Sequence, residues 1–165
     1  MNRSGVEFVR YRLRRTLLKL EQVGDQLNID ELSAPFFEGV ASPSQLIRHI
    51  RQTLEYWVLS PLKAIEKPQK TCFLDIENEA KWDLEISQLG RTIDDSIQAV
   101  RSLEEQEWEE QKRIGTVLCS LNMAILNAVT HCEGQTTQIV LMAKLNLGPI
   151  WREDPTKQTD AYGGW

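Results

Sequence analysis

Apolar residues at three- and four-residue steps run through this chain and limit its possible folds more than any other feature. Val6, Val9, Leu13, Leu17, Leu20, Val23 and Leu27 fall on one face of a helix of about seven turns. Leu46, His49 or Ile50, Leu54 and Trp57 continue the period up to Pro61, whose missing N–H and ring clash kink or end a helix. A third segment, about 75–103, holds Ile76, Ala80, Leu84, Leu89, Ile93, Ile97 and Val100 in phase, with Gly90 a local weakness. A fourth, from about Thr116 to Asn146, carries Leu118, Leu121, Ile125, Ala128, Cys132, Gln135 and Ile139 and stops before Gly148-Pro149. No stretch reads as a convincing strand and no fixed-period repeat is present. These observations predict an all-α fold, an antiparallel four-helix bundle, with a looser all-α fold as the alternative.

The connections are uneven. Residues 29–41, "IDELSAPFFEGVA", lose the period and read as a long connection between the first two helices, with Phe36 and Phe37 placed to plug an end of the bundle. Ser42, Pro43 and Gln45 then form the clearest start signal in the chain: an N-cap, a proline at the first helical position and the capping-box partner. The run "EEQEWEEQKR" is expected to be a solvated helix end and turn. From about 149 the chain becomes an irregular tail whose Trp151, Tyr162 and Trp165 are expected to lie on the bundle or to contact a partner.

All 165 residues fit one domain, 1–165, of ordinary globular composition, 41% apolar and 26% charged. The net charge of −5 argues against a general nucleic-acid binder, which needs a basic surface. The sign is split along the chain: residues 1–28 hold six bases and three acids, and residues 75–110 hold three bases and twelve acids. Pairing of the basic helix with the acidic segment is expected within one chain or across a homodimer. Cys72, Cys119 and Cys132 make no C-x-x-C pair and are odd in number, which fits a reducing compartment. With no signal-like stretch at the start and no long uncharged apolar segment, a cytoplasmic protein without a membrane span is expected.

Residues with chemistry gather in "AVTHCEGQTTQIVLM", Ala128 to Met142, where His131, Cys132 and Glu133 stand side by side before Gly134-Gln135. On the second helix His49 belongs to the apolar stripe. Glu133, outside the inward stripe, is expected to face solvent, and Gln135 to support His49 or to bond a backbone group. No phosphate-binding glycine loop, G-x-S-x-G or inward carboxylate pair is present.

With His49 in "SPSQLIRHIRQTLEYW" and "HCEGQTTQI" on the last helix, the chain resembles the DinB/YfiT-like family of bacterial proteins over almost its whole length. The family's last helix is similar to H-x-x-x-H-x-G-Q, its two histidines joining one from the second helix around a divalent metal. Residues four apart share a side of a helix, and a facing helix adds the third ligand, leaving a position open for water or substrate. Aligned on Gly134-Gln135, Cys132 takes the third slot, Ala128 stands in the second, and His131 is one residue out of register.

The resemblance implies either a metal-dependent enzyme similar to the family's thiol transferases or a degenerate relative binding a small molecule or partner in the bundle. The ligand set it offers is His49, His131 and Cys132, for zinc or nickel, with Gln135 behind His49. His131 and Cys132 lie about 100° apart, so both can flank the groove opposite His49. Against a metal, a cysteine is equally at home as a small buried hydrophobe, and a histidine on an apolar face as a hydrogen-bonded core residue.

Overall fold

A computed structural model describes residues 3–36, 38–62 and 80–153. Among them, α1 is Arg3–Gly24, α2 Ile29–Ser33, α3 Pro43–Leu54, α4 Trp82–Arg101 and α5 Leu121–Leu147. The four longer helices form a bundle in which α1 and α3 each pack against both α4 and α5. Its core holds the stripes read from the period: Val9, Leu13, Leu20 and Val23 from α1, Leu46, Ile50 and Leu54 from α3, Leu89, Ile93, Ile97 and Val100 from α4, Ile125 and Ile139 from α5. Exclusion of these side chains from water is the main favourable term holding the helices together. No described helix is long and apolar enough to cross a membrane.

Ion pairs between helices fix their directions. Glu7 meets Arg101 and Arg14 meets Asp94, so α1 runs antiparallel to α4. Arg12 sits level with Glu133, and Gln22 with Arg152, so α1 runs parallel to α5. As the first and last long helices, these two need no connection to each other. The basic first helix thus finds counter-charges within its own chain.

Helix ends follow local chemistry. Ser42 Oγ accepts from Gln45 N at 3.2 Å and Gln45 Oε1 accepts from Ser42 N at 2.8 Å, closing the expected capping box. After α3 the chain widens into a π-helical turn, Glu55–Leu59, with Ser60 N donating to Glu55 O at 2.9 Å, and it leaves the helix at Pro61. α1 ends at Gly24, earlier than the apolar period implies; Leu27 lies beyond it and is still buried.

The stretches between the long helices hold more structure than the period alone predicts. The connection after α1 contains α2, started by a capping box between Asn28 and Glu31. Phe36 packs on the core, while Phe37 lies outside the described residues. The acidic run is solvated as expected but holds an anchor: it forms a 3₁₀ turn, Glu105–Glu109, that sets Trp108 in the core at 1% exposure while its acids stay at the surface. An antiparallel hairpin follows, β1 Gln111–Ile114 and β2 Val117–Ser120, turning at Gly115 with φ +60°. That left-handed φ is natural for glycine, and β-branched Ile114 and Val117 flank the turn. As a result α5 begins at Leu121, capped by Ser120, instead of near Thr116, and Leu118 is exposed.

α4 begins at Trp82, and the expected helix residues before Ala80, including Ile76, lie outside the described residues, as do Cys72, Tyr162 and Trp165. The start of the tail does lie on the bundle. Trp151 packs on the core beneath Lys144, and the Gln26 side chain both donates to and accepts from the Arg152 backbone.

Because the Ser42 side chain is buried and its oxygen satisfies an otherwise orphaned helix N–H, Ser42→Ala is expected to lower stability by about 1 kcal/mol. Chemical denaturation checks this; an unchanged midpoint contradicts the cap.

Candidate functional site

α3 turns His49 inward because it shares a face with Leu46, Ile50 and Thr53, all buried. The residue is 7% exposed. Across the seam, α5 brings His131 to it: the two Nε2 atoms are 2.9 Å apart and the rings meet edge to face, with centroids separated by 5.0 Å. At that distance one nitrogen donates and the other accepts, so at least one ring is neutral. His49 Nδ1 is buried and has no hydrogen-bond partner.

Cys132 is fully buried, and its Sγ donates to Ile50 O at 3.9 Å, a weak bond to the backbone of α3. Glu133 does not face solvent as expected. It accepts both arms of the Arg12 guanidinium, a two-point ion pair between α5 and α1 that also raises the Arg12 pKa, chiefly through the hydrogen bond. Three consecutive residues thus fan around α5: His131 to the His49 ring, Cys132 into the core against α3, and Glu133 to α1.

Gln135 is half-buried with its Oε1 unpartnered, and no hydrogen bond joins it to His49. The inward position of that turn belongs to Thr136, whose hydroxyl donates to Cys132 O at 2.8 Å. Ala128, buried at 1%, offers no donor. The structure therefore joins His49 to His131 directly. Among the described residues no three His, Cys, Asp or Glu side chains gather as a metal ion needs. The donors present do not complete the three-ligand set that the resemblance implies.

A second buried cluster went unread in the sequence. Glu85 of α4 is 3% exposed and is held by Arg48 Nε at 2.8 Å and Arg51 Nη2 at 3.5 Å, with Arg51 also bonding Glu55 at 2.7 Å. Its signal was available, since Glu85 lies in phase with Trp82 and Leu89 on the inward stripe. A charge there must be paired to be tolerated.

The bundle has a solved counterpart. The crystal structure of a DinB-like protein from Bacillus cereus matches it with a TM-score of 0.62, over 85% of this chain and 90% of that one, at 10% sequence identity. The chain has the DinB-like fold. No protein-family model matches the sequence, and a search of curated proteins finds no significant match.

Within this DinB-like bundle the histidine pair carries a pH dependence. Burial lowers the pKa of His49, and the nearby His131 lowers it further; burial also lowers that of His131. With both folded values below the ordinary 6.5, the unfolded chain binds more protons than the folded one as pH falls through that region. Stability contributed by the neutral pair is therefore complete above the ordinary value and is lost on acidification. Denaturation followed with chelator present from about pH 8 to about pH 5 is expected to show a falling midpoint, with a shallower fall in His131→Gln. Equal slopes for the two proteins would contradict the coupling.

Proposed function

We propose that this chain is a small-molecule- or partner-binding bundle of the DinB-like fold in which the family's metal site has degenerated to a hydrogen-bonded histidine pair. The observation that carries this reading is the 2.9 Å contact between the Nε2 atoms of His49 and His131. Each ring uses the nitrogen it would lend to a metal on the other ring. The remaining positions support the same reading. Ala128 has nothing to donate, and the Cys132 thiol is turned to the Ile50 carbonyl.

The rival reading is a divalent-metal-dependent enzyme similar to the family's thiol transferases, with His49, His131 and Cys132 as ligands and zinc or nickel as the metal. It draws support from the two imidazoles aimed at one another: the nitrogens need to part only from 2.9 Å to about 3.3 Å to match the spacing of two ligands around a tetrahedral zinc. Leu141 and Leu145, a turn apart on α5 and more than half exposed, offer an apolar strip that favours a homodimer. A monomer by light scattering at micromolar concentration counts against that part of the proposal.

Elemental analysis of protein purified without a histidine tag or added metal decides between the readings, together with zinc titrations of wild type, His49→Ala and Ala128→His. The expected result is metal-free protein whose melting temperature zinc leaves unmoved, with zinc stabilisation gained in Ala128→His. Stoichiometric metal in wild type that is lost in His49→Ala overturns the degenerate-site reading in favour of the enzyme.

A further inference from the structure

Away from the histidines, on the seam between α1 and α5, three cations share one wall of a cavity. Arg12, Arg15 and Lys19 stand three and four residues apart on α1, all half-buried, and Glu133, Thr136 and Thr137 of α5 close the other side. The cavity measures about 130 Å³. That is roughly the volume of four waters, enough for one tetrahedral oxyanion.

Neighbouring arginines of α1 are neutralised: Arg10 by Glu7, Arg14 by Asp94 and Arg12 by Glu133. Among the described residues, Arg15 and Lys19 have no ion-pair partner within 4.0 Å. Glu133 is engaged at both oxygens by the Arg12 fork. Thr136 and Thr137 give their hydroxyl protons to the carbonyls of Cys132 and Glu133, so the donors to anything bound here come from α1, from its cations and from the hydroxyl of Thr16, which also lines the cavity. Burial lowers the Lys19 pKa and Arg15 lowers it further, against the opposing pull of Glu133 and Glu153. Two partly desolvated like charges held together in this way are relieved by an anion between them.

We propose that the α1–α5 seam is an anion site in which Arg15 and Lys19, with Arg12 at its edge, bind a phosphate-class oxyanion, either inorganic phosphate or the phosphoryl end of a small metabolite. The planar guanidinium takes two oxygens and the ammonium a third, the division of labour these two side chains favour on phosphate. The site shares no residue with the histidine pair and does not depend on the function proposed above.

Calorimetric titration and thermal unfolding of the full chain test it, with sodium phosphate compared against sodium chloride at matched ionic strength and glycerol 3-phosphate as the metabolite probe. Phosphate is expected to bind and to raise the melting temperature where chloride does not. Arg15→Gln and Lys19→Gln should each weaken binding about tenfold, the loss of one charge-assisted contact. Arg14→Gln, on the α4 side, should bind as wild type does, and Lys19→Arg, which keeps the charge but not the compact ammonium, should still bind phosphate in preference to chloride; the two carry the test if a glutamine variant fails to fold, since weakened binding in Arg14→Gln or loss of the phosphate preference in Lys19→Arg overturns the assignment. Tighter binding of glycerol 3-phosphate than of phosphate assigns the site to a phosphorylated metabolite, and equal or weaker binding to the free ion. Phosphate and chloride acting alike, or both glutamine variants binding as wild type, overturns the site.

Discussion

α5 must bury one continuous face between α1 and α3, and most of the structure follows from how it does so. Ala124, Ala128, Cys132 and Thr136 recur every four residues on that face, all of them buried and small. A row of small residues at this spacing lets neighbouring helices approach closely. Ala128 and Cys132 therefore have a packing role that needs no ligand, and these are the two positions that align with metal-binding slots in the resemblance. A histidine at 128 would have to fit where a methyl group now does.

The helical framework was legible because burial imposes its period directly on the sequence. The stripes of α1, α3 and α4 and the Ser42 box required only spacing and cap chemistry, and they lie where those predict except at Leu84, read into the α4 stripe but 54% exposed, and at Ile76, outside the described residues. The hairpin at 111–120 was harder to see. Its strands are four residues each and mostly exposed, so little alternation marks them, and the acidic run before them resembles a solvated turn. Trp108 breaks that resemblance: a tryptophan among charges is a reason to expect an anchor. α2 was missed although Asn28-x-x-Glu31 has the form of a capping box, because one turn of helix is too short to show a period.

At the candidate site the sequence placed both His131 and Cys132 opposite His49, and the structure joins only His131 to it, with Cys132 turned to the Ile50 carbonyl. His49 and His131 are joined although His131 is out of register with the family spacing, since a step of one residue rotates a side chain by about 100° and a long imidazole can make up the difference. The same rotation carries Glu133 across to α1. Its partner Arg12 lies 121 positions earlier in the chain, and no local pattern links the two. Glu85 was hidden for another reason: a charged residue inside an apolar stripe is normally read as an interruption, and its pairing with Arg48 and Arg51 is a property of the α3–α4 seam.

The two polar seams of α5 differ in what they require of the bundle. On the α3 side, His49 and His131 share a hydrogen bond between their Nε2 atoms, and burial disfavours charge on either ring. On the α1 side, three half-buried cations meet one carboxylate, leaving positive charge that the fold itself does not cancel. Burial of an unbalanced charge is costly, and it persists where something outside the chain offsets it or where water still reaches it. No residue belongs to both seams, so substitutions at His49 and at Lys19 should combine additively in stability. Of the two, the histidine seam leaves one buried ring nitrogen unpartnered and the α1 seam leaves whole charges, so the charged seam is where the structure has the stronger physical reason to bind a ligand.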